Sequence, residues 1–282
     1  MNNHQILIEN LIDLGIREDV GDGDHTSLAC IPIIATGKAQ LIIKEDGVIA
    51  GIELAKLIFN KIDDSLIFTP VLKDGDKIKN GDVAFYVEGS SQSILKAERL
   101  VLNFMQRMSG IATKTHRYTQ LLQGLPTKIL DTRKTTPGNR IIEKWAVQIG
   151  GGVNHRMGLY DMIMIKDNHI DYAGGIENAI NKVVDYLKNN NKKLKIEIEA
   201  RDLKELNEIL NVGKIHRIML DNFNFEDLKT AVKLINRKYE TEASGGITEK
   251  TIRTYADCGV DFISVGALTH QINSLDLSLK AF

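Results

Sequence analysis

The sequence has little cysteine and no long hydrophobic run. Its two cysteines, Cys30 and Cys258, are far apart and lack the spacing of metal ligands. That excludes a disulfide-rich scaffold and a cysteine-based zinc site, and it is typical of a reduced cytoplasmic setting. No apolar run is long enough to span a membrane, and the acidic residues near the N-terminus are unlike a signal peptide. We therefore expect a soluble cytoplasmic protein.

An excess of charge of one sign is also missing. The formal net charge is −1, which gives no bulk attraction to nucleic acid or to an anionic membrane. We therefore expect neither as a partner, and any cluster of cations must be a local arrangement. Hydrophobic residues make up 43% and charged residues 26% of the 282 positions, which is ordinary for a globular protein of one large or two smaller domains.

Glycine motifs of nucleotide-binding proteins are absent as well. Gly150 to Gly152 offer a G-x-G, but His155 stands where the dinucleotide fingerprint needs its third glycine. No Walker-type Gly-Lys-Ser/Thr occurs either. The triplet follows a stretch with helical spacing, 140–149, so we expect it to end a helix.

The first part of the chain has the patterning of a mixed α/β domain. An Asp-Gly pair at 46–47 predicts a hairpin between two of its strands. The predicted elements are a helix over 6–14, strands over 38–44 and 47–51, a helix over 53–62, strands within 71–89, and a helix over 93–122.

Beyond Leu125, short apolar runs that each end in a polar or charged residue alternate with helical stretches. This alternation predicts βαβ units and a parallel sheet. Six such units are too few for an eight-stranded barrel, and the pattern alone leaves open an incomplete barrel or an open doubly wound sheet. The runs cover 128–134, 162–168, 194–200, 217–223, 239–246 and 262–268, and a strand-like tail follows at 274–282.

In either arrangement, ligands bind at the carboxyl ends of the strands. Taken singly, each polar residue there could be a solvated cap, and Glu199 and Asp221 could pair with Lys195 or Arg217. Their recurrence at strand after strand instead favours a site for a highly anionic ligand, part of which becomes positive during reaction. The strand-end residues are Asp131, Thr132, Arg133, Lys134, Lys166, Asp167, Glu199, Asp221, Asn222, Ser244, Gly245, Gly246 and Gly266, with His155 and Arg156 from a preceding loop.

Two late loops have the features of a phosphate site. Residues 244–248, Ser-Gly-Gly-Ile-Thr, follow a strand and precede a predicted helix, whose N-terminus could receive a phosphate. Val265 to Ala267 on the next unit supply a second approach, and paired late loops of this kind recur in barrels. His169 and His270 are interpreted as hydrogen-bonded structural residues.

Stretches that span nearly the whole chain in order carry a family resemblance. They are EDVGDGDHTS (18–27), AERLVLNFMQRMSGIAT (97–113), DTRKTTPGNR (131–140), EKWAVQIGGGVNHRMGLYDMIMIKDNHI (143–170), IEIEA (196–200), MLDNF (219–223), ASGGI (243–247) and SVGALTH (264–270). With them the chain resembles the quinolinate phosphoribosyltransferase family, also called nicotinate-nucleotide pyrophosphorylase (carboxylating). Trp145 and Asn139 depart from the family's usual residues, but neither is a charged site position.

The resemblance implies an α/β fold with an N-terminal sandwich-like domain and a C-terminal incomplete barrel of six or seven strands. Residues 1–110 would form the first domain, which the tail 271–282 could rejoin, and 111–270 the catalytic barrel. The implied reaction is that of quinolinate with phosphoribosyl pyrophosphate, which gives nicotinate mononucleotide, pyrophosphate and carbon dioxide with Mg2+ as cofactor, a step of NAD biosynthesis.

The resemblance also implies roles for individual residues. Quinolinate would be bound by Arg99, Thr132, Arg133, His155, Arg156 and Lys166, with Arg99 reaching the pocket of a neighbouring subunit in a homodimer or larger assembly. Phosphoribosyl pyrophosphate would be bound by Lys134, Glu199, Asp221, Ser244, Gly245, Gly246, Val265, Gly266 and Ala267. Catalysis would rest on Lys134, Lys166, Glu199 and Asp221, and Mg2+ would lie at Glu199 and Asp221, directly or through intermediates.

Physical chemistry supports this assignment. The planar fork of arginine matches a carboxylate with two parallel hydrogen bonds, and quinolinate carries two adjacent carboxylates. Carboxylates such as Glu199 and Asp221 stabilise the oxocarbenium-like charge that develops on the ribose. Lys134 and Lys166 both remain candidates for protonating C2 after decarboxylation.

Three alternatives remain at the level of sequence. Lys166 could be the amine of a Schiff-base lyase or aldolase, although the surrounding cations argue against an isolated lysine. A paralogous pyrophosphorylase, such as the molybdenum-associated relatives, could act on another base, but Arg99, Arg133, His155 and Arg156 favour quinolinate. A non-catalytic phosphometabolite-binding protein would gain nothing from Glu199 and Asp221 facing its ligand.

Overall fold

The computed structural model describes residues 3–282, with the side chain of Asn3 left out, and forms two compact units. The first unit contains the chain up to His116 together with 135–151 and 267–282. The second unit contains 117–134 and 152–266. Residues 1 and 2, the start of the predicted first domain, lie outside the described residues.

Helices and strands occur along the chain in the order that follows. The elements up to the end of the long helix are α1 (Asn3–Val20), α2 (His25–Cys30), β1 (Thr36–Ile43), β2 (Gly47–Val48), α3 (Ile52–Ile62), β3 (Ile67–Pro70), β4 (Lys77–Ile78), β5 (Val83–Ser90) and α4 (Ser91–Leu121). The remaining elements are β6 (Lys128–Leu130), α5 (Arg140–Ile149), β7 (Ile163–Ile165), α6 (Asp167–Ala173), α7 (Ile176–Asn189), β8 (Ile196–Ala200), α8 (Leu203–Val212), β9 (Arg217–Asp221), α9 (Phe225–Ile235), β10 (Glu240–Ser244), α10 (Ile252–Asp257), β11 (Phe262–Ser264), α11 (Ala267–His270) and β12 (Leu277–Ala281).

An antiparallel four-stranded sheet, in the order β12-β1-β5-β3, forms the first unit's main layer. Leu41 and Ile43 alternate with exposed or half-buried residues along β1, so one face of that strand is buried. Phe59 of α3 packs against Phe68 and Phe85 of the sheet, with ring centroids 5.9 Å from each. The hydrophobic periodicity of α3 and the strand alternation therefore meet in one core.

The predicted hairpin at the Asp-Gly pair is wrong. Strand β1 pairs with β5 on one side and with β12 on the other, so it has no free edge for β2. Strand β2 pairs with β4 in a separate two-stranded sheet. Local turn chemistry favoured the hairpin, but the tail of the chain occupies the place that it needed.

The predicted helices of the first unit are confirmed, with different ends. Helix α4 begins two residues before the predicted position and ends one residue before it. Helix α1 runs from Asn3 to Val20 rather than over 6–14, because its last turns carry polar residues that apolar periodicity does not detect. Helix α5 ends at Ile149 with Gly150 as its C-cap, so the glycine triplet ends a helix as predicted.

The second unit is an incomplete α/β barrel. Its parallel sheet has six strands in the order β6-β11-β10-β9-β8-β7. From β7 to β11 each strand lies beside the next in sequence, and β11 then pairs with β6, which leaves the opening between β6 and β7. Val153 forms a parallel bridge to Leu130 on β6 at the edge of that opening. This circular order excludes the doubly wound alternative.

Strands β8, β9 and β10 are almost entirely buried, yet each contains two charged residues. In β8, for example, Ile196 and Ile198 alternate with Glu197 and Glu199, and all four are buried. Because successive side chains point to opposite faces of a sheet, one face of these strands is apolar and the other is polar. The polar face holds the site residues.

Across residues 3–282, no helix has both the length and the apolar character that crossing a bilayer requires. Cys30 is exposed, Cys258 is buried, and both are free thiols.

Candidate active site

The predicted strand-end residues lie at one edge of the second unit's sheet. Arg133 and Lys134 follow β6, Lys166 follows β7, and Ser244 ends β10 beside Asp221 of β9, its partner in the register. Because all these strands are parallel, their carboxyl ends share that edge. Arg99 and Ala267 belong to the first unit, where Arg99 is an exposed residue of α4.

Asn154 to Arg156 reach this edge by running alongside β6. Val153 exchanges backbone hydrogen bonds with that strand: its N–H donates to Ile129 and its C=O accepts from Asp131. The buried Asp131 carboxylate then accepts the backbone N–H of His155 at 2.8 Å. This extra strand segment explains why a loop before β7 contributes to the strand-end site.

Electrostatic interactions link Arg156 to the neighbouring strand ends. Burial lowers the pKa of Arg156, and the charge of Arg133 lowers it further, while Glu199 is among the acids that oppose this. Its guanidinium donates to the carbonyl oxygen of Met162 at 3.2 Å. Arg133, Arg156 and Glu199 are therefore close enough for their charges to interact, as convergence on one site requires.

Lys166 and Glu199 form an ion pair between the ends of β7 and β8. The side chain of Glu199 is 11% exposed and that of Lys166 is 43% exposed, so the pair lies where buried and open surfaces meet. The alternative pairings are not those observed, since Lys195 contacts Glu240 at 3.7 Å. The His169 ring accepts the backbone N–H of Lys166 at 2.9 Å, a contact expected of a hydrogen-bonded structural histidine.

Asp221 is held by a tight turn that joins two strand ends. The side-chain amide of Asn222 donates to the Asp221 carboxylate at 2.7 Å, and the backbone N–H of Asn222 donates to the Ser244 carbonyl at 2.9 Å. Gly245 has a φ of +104°, and a Cβ there would lie 2.1 Å from Oδ1 of Asn222. Only glycine therefore fits at 245 without displacing the residue that orients Asp221.

The helix predicted after residues 244–248 is present as α10, but it does not begin directly after the Gly-Gly pair. Helix α10 begins only at Ile252, and residues 245–251 form a turn in which the Thr248 N–H donates to the Thr251 hydroxyl at 3.0 Å. Polar residues at 248–251 thus make a local turn before the helix starts. The peptide groups of Gly245 and Gly246, rather than a helix N-terminus, are what this segment offers a phosphate.

A set of charged residues inside the second unit was not predicted from the sequence. Arg217 contacts Glu240 at 3.0 Å and Glu242 at 3.2 Å, and its guanidinium lies 4.1 Å from the ring centroid of Phe262. Glu197 and Glu242 are completely buried. The available signal was the placement of acids at every second position of β8 and β10, two short buried strands.

His155 lies against those two buried carboxylates. Its Nε2 is 3.1 Å from Glu197 and 3.3 Å from Glu242, and its side chain is only 5% exposed. Burial and the charge of Glu242 raise the pKa of Glu197 to about 7. Burial raises the pKa of Glu242 as well, but hydrogen bonds from His155 and Ser264 outweigh it, so that the net shift is downward.

Two observations about His155 favour different protonation states. Burial lowers its pKa, but hydrogen bonds and charges of Glu197 and Glu242 outweigh burial and raise the pKa to about 9, which favours the doubly protonated ring. However, Nδ1 accepts the backbone N–H of Arg156 at 2.7 Å, and a doubly protonated ring has no acceptor. We favour a ring with a single proton, on Nε2. The backbone fixes the position of the Arg156 N–H hydrogen, which points at Nδ1 and leaves no room for a proton on Nδ1.

Glu199 and Asp221 have the composition of a Mg2+ site. Both are carboxylates at the ends of the paired strands β8 and β9, and hard oxygen donors are what Mg2+ takes from proteins and phosphates. Each also has a protein partner, Lys166 for Glu199 and Asn222 for Asp221. The donor set therefore fits a cation shared with substrate oxygens.

Family models match both parts of the chain. Residues 24–109 match the model described as quinolinate phosphoribosyl transferase, N-terminal domain. Residues 111–280 match the one described as quinolinate phosphoribosyl transferase, C-terminal domain.

Named relatives and solved structures are similar over nearly the full chain. Quinolinate phosphoribosyltransferase [decarboxylating] 1 of Nicotiana glauca is 47% identical, and the match covers 97% of this chain and 82% of that one. The structure of NadC from Streptococcus pyogenes is 38% identical with a TM-score of 0.92, covering 97% and 95%. The nicotinate-nucleotide pyrophosphorylase from Francisella tularensis is 38% identical with a TM-score of 0.92, covering 100% and 98%.

Proposed function

This chain belongs to the quinolinate phosphoribosyl transferase family, and from that membership we propose that it transfers the phosphoribosyl group of phosphoribosyl pyrophosphate to quinolinate. Carbon dioxide is lost, and nicotinate mononucleotide and pyrophosphate are the other products, a step of NAD biosynthesis. The observation that carries the proposal is that one strand edge brings together cations for a dianion and acids for a sugar cation.

Quinolinate would bind to the cations of that edge. Arg133 and Arg156 are each suited to a bidentate carboxylate contact, and Lys166 adds a point charge beside them. One such charge pair at about 4 Å is worth about 1 kcal/mol in water and about 4 kcal/mol at an effective dielectric near 20. A partly closed site is therefore needed for discrimination against nicotinate. Thr132 and His155 adjoin this set.

Phosphoribosyl pyrophosphate would lie across the neighbouring strand ends. Its 5′-phosphate would be held by peptide groups of the turns after β10 and β11, and its ribose would face the acids of β8 and β9. The residues assigned to this substrate are Lys134, Glu199, Asp221, Ser244, Gly245, Gly246, Val265, Gly266 and Ala267.

The chemistry then has two steps. The pyridine nitrogen attacks the anomeric carbon while the bond between that carbon and pyrophosphate breaks. Glu199 and Asp221 stabilise the positive charge that develops on the ribose. In the second step the bond from C2 to its carboxylate breaks. The electron pair passes into the cationic ring, carbon dioxide leaves, and C2 gains a proton from Lys134 or Lys166.

A magnesium ion would be held at Glu199 and Asp221, directly or through substrate oxygens. When bound, such an ion neutralises charge on the departing pyrophosphate. We also propose a cytoplasmic enzyme that is a homodimer or a larger assembly, with the exposed Arg99 entering the quinolinate pocket of a neighbouring subunit.

One assay tests the proposed reaction. Purified protein is incubated with Mg2+, phosphoribosyl pyrophosphate and either quinolinate or nicotinate, and nucleotide product and carbon dioxide are measured together. Equal amounts of both are expected with quinolinate, little product with nicotinate, and loss of activity on chelation of Mg2+. Nucleotide formation without carbon dioxide, or a preference for nicotinate, would contradict the proposal.

A further inference from the structure

A largely buried group of four residues lies inside the barrel, and three of them have no role in the proposed reaction. This buried cluster consists of His155, Glu197, Arg217 and Glu242. The two carboxylates are completely buried, and the side chains of His155 and Arg217 are 5% and 12% exposed. Charged side chains in such a place are costly unless they are paired, so their contacts need a reason.

The contacts of the buried cluster converge on His155. Arg217 bonds to Glu242 at 3.2 Å and lies 3.9 Å from Glu197, so one cation balances the two acids from one side. On the other side, Nε2 of His155 lies within 3.3 Å of both acids. Arg217 thus holds Glu242 by a hydrogen bond and Glu197 by a longer ion pair, and both acids form ion pairs with the imidazole ring.

From His155 the contacts continue to the backbone of Arg156. Nδ1 accepts the Arg156 N–H at 2.7 Å, and Asp131 accepts the His155 N–H at 2.8 Å. The backbone N–H groups of His155 and Arg156 are therefore both held by buried side chains, and this fixes the backbone from which the Arg156 side chain extends. With Nε2 facing two acids and Nδ1 facing an amide, both ring nitrogens have protein partners.

His155, Glu197 and Glu242 also have the composition of a metal site, with ligand atoms within 4.8 Å of one another. The hydrogen bond at Nδ1 argues against that interpretation. A ring that accepts at Nδ1 carries its proton on Nε2, and a protonated nitrogen has no lone pair for a metal. The guanidinium of Arg217 already supplies positive charge to both acids.

We infer that Glu197, Glu242 and Arg217 are positioning residues that hold His155, and that His155 sets the position of the Arg156 guanidinium instead of contacting quinolinate itself. The role assigned to Arg156 rests on the proposed function, whereas the arrangement of the buried cluster does not. This differs from the expectation from the family resemblance, in which His155 binds the substrate.

A pair of substitutions with similar shape separates these two roles. His155→Asn keeps an acceptor near the place of Nδ1, while His155→Leu has no acceptor there. A positioning role predicts that the Asn variant keeps a KM for quinolinate near that of the wild type. The Leu variant should show a rise of roughly tenfold to a hundredfold, as misplacement of a binding group does. Equal losses in both variants would show that His155 contacts the substrate directly.

Nitrogen NMR tests the same inference on the wild-type protein, and a substituted protein is needed only to assign the signals. In protein with 15N-labelled histidine, we expect Nδ1 of His155 to be unprotonated and Nε2 protonated, both before and after quinolinate is added. The His155→Asn spectrum assigns the signals. A doubly protonated ring, or signals that move strongly on quinolinate binding, would overturn the inference.

Two glutamates of β10 provide a matched control. Glu240 and Glu242 both contact Arg217, but only Glu242 lies beside His155. Glu242→Gln should therefore shift the ring nitrogen signals of His155 and raise the quinolinate KM, while Glu240→Gln should do neither. Identical behaviour of the two variants would remove the carboxylates from the positioning role.

Failure of the proposed function has a different signature. If the wild-type protein forms no nucleotide from quinolinate, the proposed reaction is refuted. The NMR signals of the ligand-free protein still test the arrangement of the buried cluster. If the wild type is active and the two His155 variants lose activity equally, only the positioning role fails.

Discussion

At the scale of single residues, acids of the second unit occupy two different environments. Glu199 pairs with Lys166 at the strand edge, where ligands can approach, whereas Glu197, two residues earlier on the same strand, is completely buried with His155. Identical side chains on one face of one strand thus have different surroundings. Position along the strand decides which acid can meet a substrate.

Arg133→Lys tests the bidentate carboxylate contact. A lysine keeps the charge but loses the planar fork, and loss of one hydrogen bond to a charged group costs about 1.5–3 kcal/mol, a roughly tenfold to hundredfold fall in kcat/KM for quinolinate. Arg17→Lys, an exposed exchange on α1, is the control and should leave the kinetics unchanged. Wild-type values for Arg133→Lys would remove this arginine from the site.

Glu199→Gln tests the acid assigned to the sugar cation. Because the charge it stabilises exists only in the transition state, kcat should fall by about 100-fold to 1000-fold while KM changes much less. Glu208→Gln, on the exposed face of α8, serves as the control. A change confined to KM would instead indicate ordinary substrate binding by Glu199.

At the scale of elements, the turns after the strands decide where polar groups are placed. The turn after β10 touches the one after β9, because Asn222 fills the space where a side chain at 245 would be. A segment that looks independent in sequence is therefore packed against its neighbour. Glycine is needed at 245 both because φ is positive and because a side chain would collide with Asn222.

Gly245→Ala separates these two demands when compared with Gly81→Ala. Both glycines have similar φ values, +104° and +97°, but a Cβ at Gly81 has no atom within 4 Å. Each variant should lose about 1–2 kcal/mol of unfolding free energy from backbone strain, measured in urea. Only Gly245→Ala should also lose activity, through displacement of Asn222 and Asp221. Equal activity in both variants would count against this packing role.

At the scale of the whole molecule, the proposed role of Arg99 in a neighbouring subunit's site requires a partner copy. The exposed Arg99 belongs to the first unit, on a helix outside the barrel strands. Homo-oligomers generally have closed symmetry, so one arginine supplied by each subunit would complete a site in the other.

Mixing two inactive variants tests whether Arg99 acts across subunits. Arg99→Ala mixed with Glu199→Gln should recover up to about a quarter of wild-type activity, since statistical exchange makes half of the dimers hybrids with one intact site. Arg133→Ala mixed with Glu199→Gln is the control and should recover nothing. Sedimentation verifies that the subunits have exchanged. If no activity is then recovered, Arg99 acts in the site of its own subunit or in no site at all.

Much of the architecture could be predicted because periodicity records local geometry. All six barrel strands begin within two residues of their predicted runs, and α5 has the predicted ends. The hairpin at Asp46–Gly47 failed because β12, from the far end of the chain, pairs with β1. No local signal reports such a competitor.

By itself the sequence determined the βαβ order, the charged strand ends and the family, since each depends on residue types and their spacing. Only the tertiary structure decided that the barrel is open between β6 and β7 and that Val153 pairs with β6. It also decided that Glu197 and Glu242 meet at His155. Those contacts join residues far apart in the chain, and burial changes the energetics of a charge through neighbours that spacing does not identify.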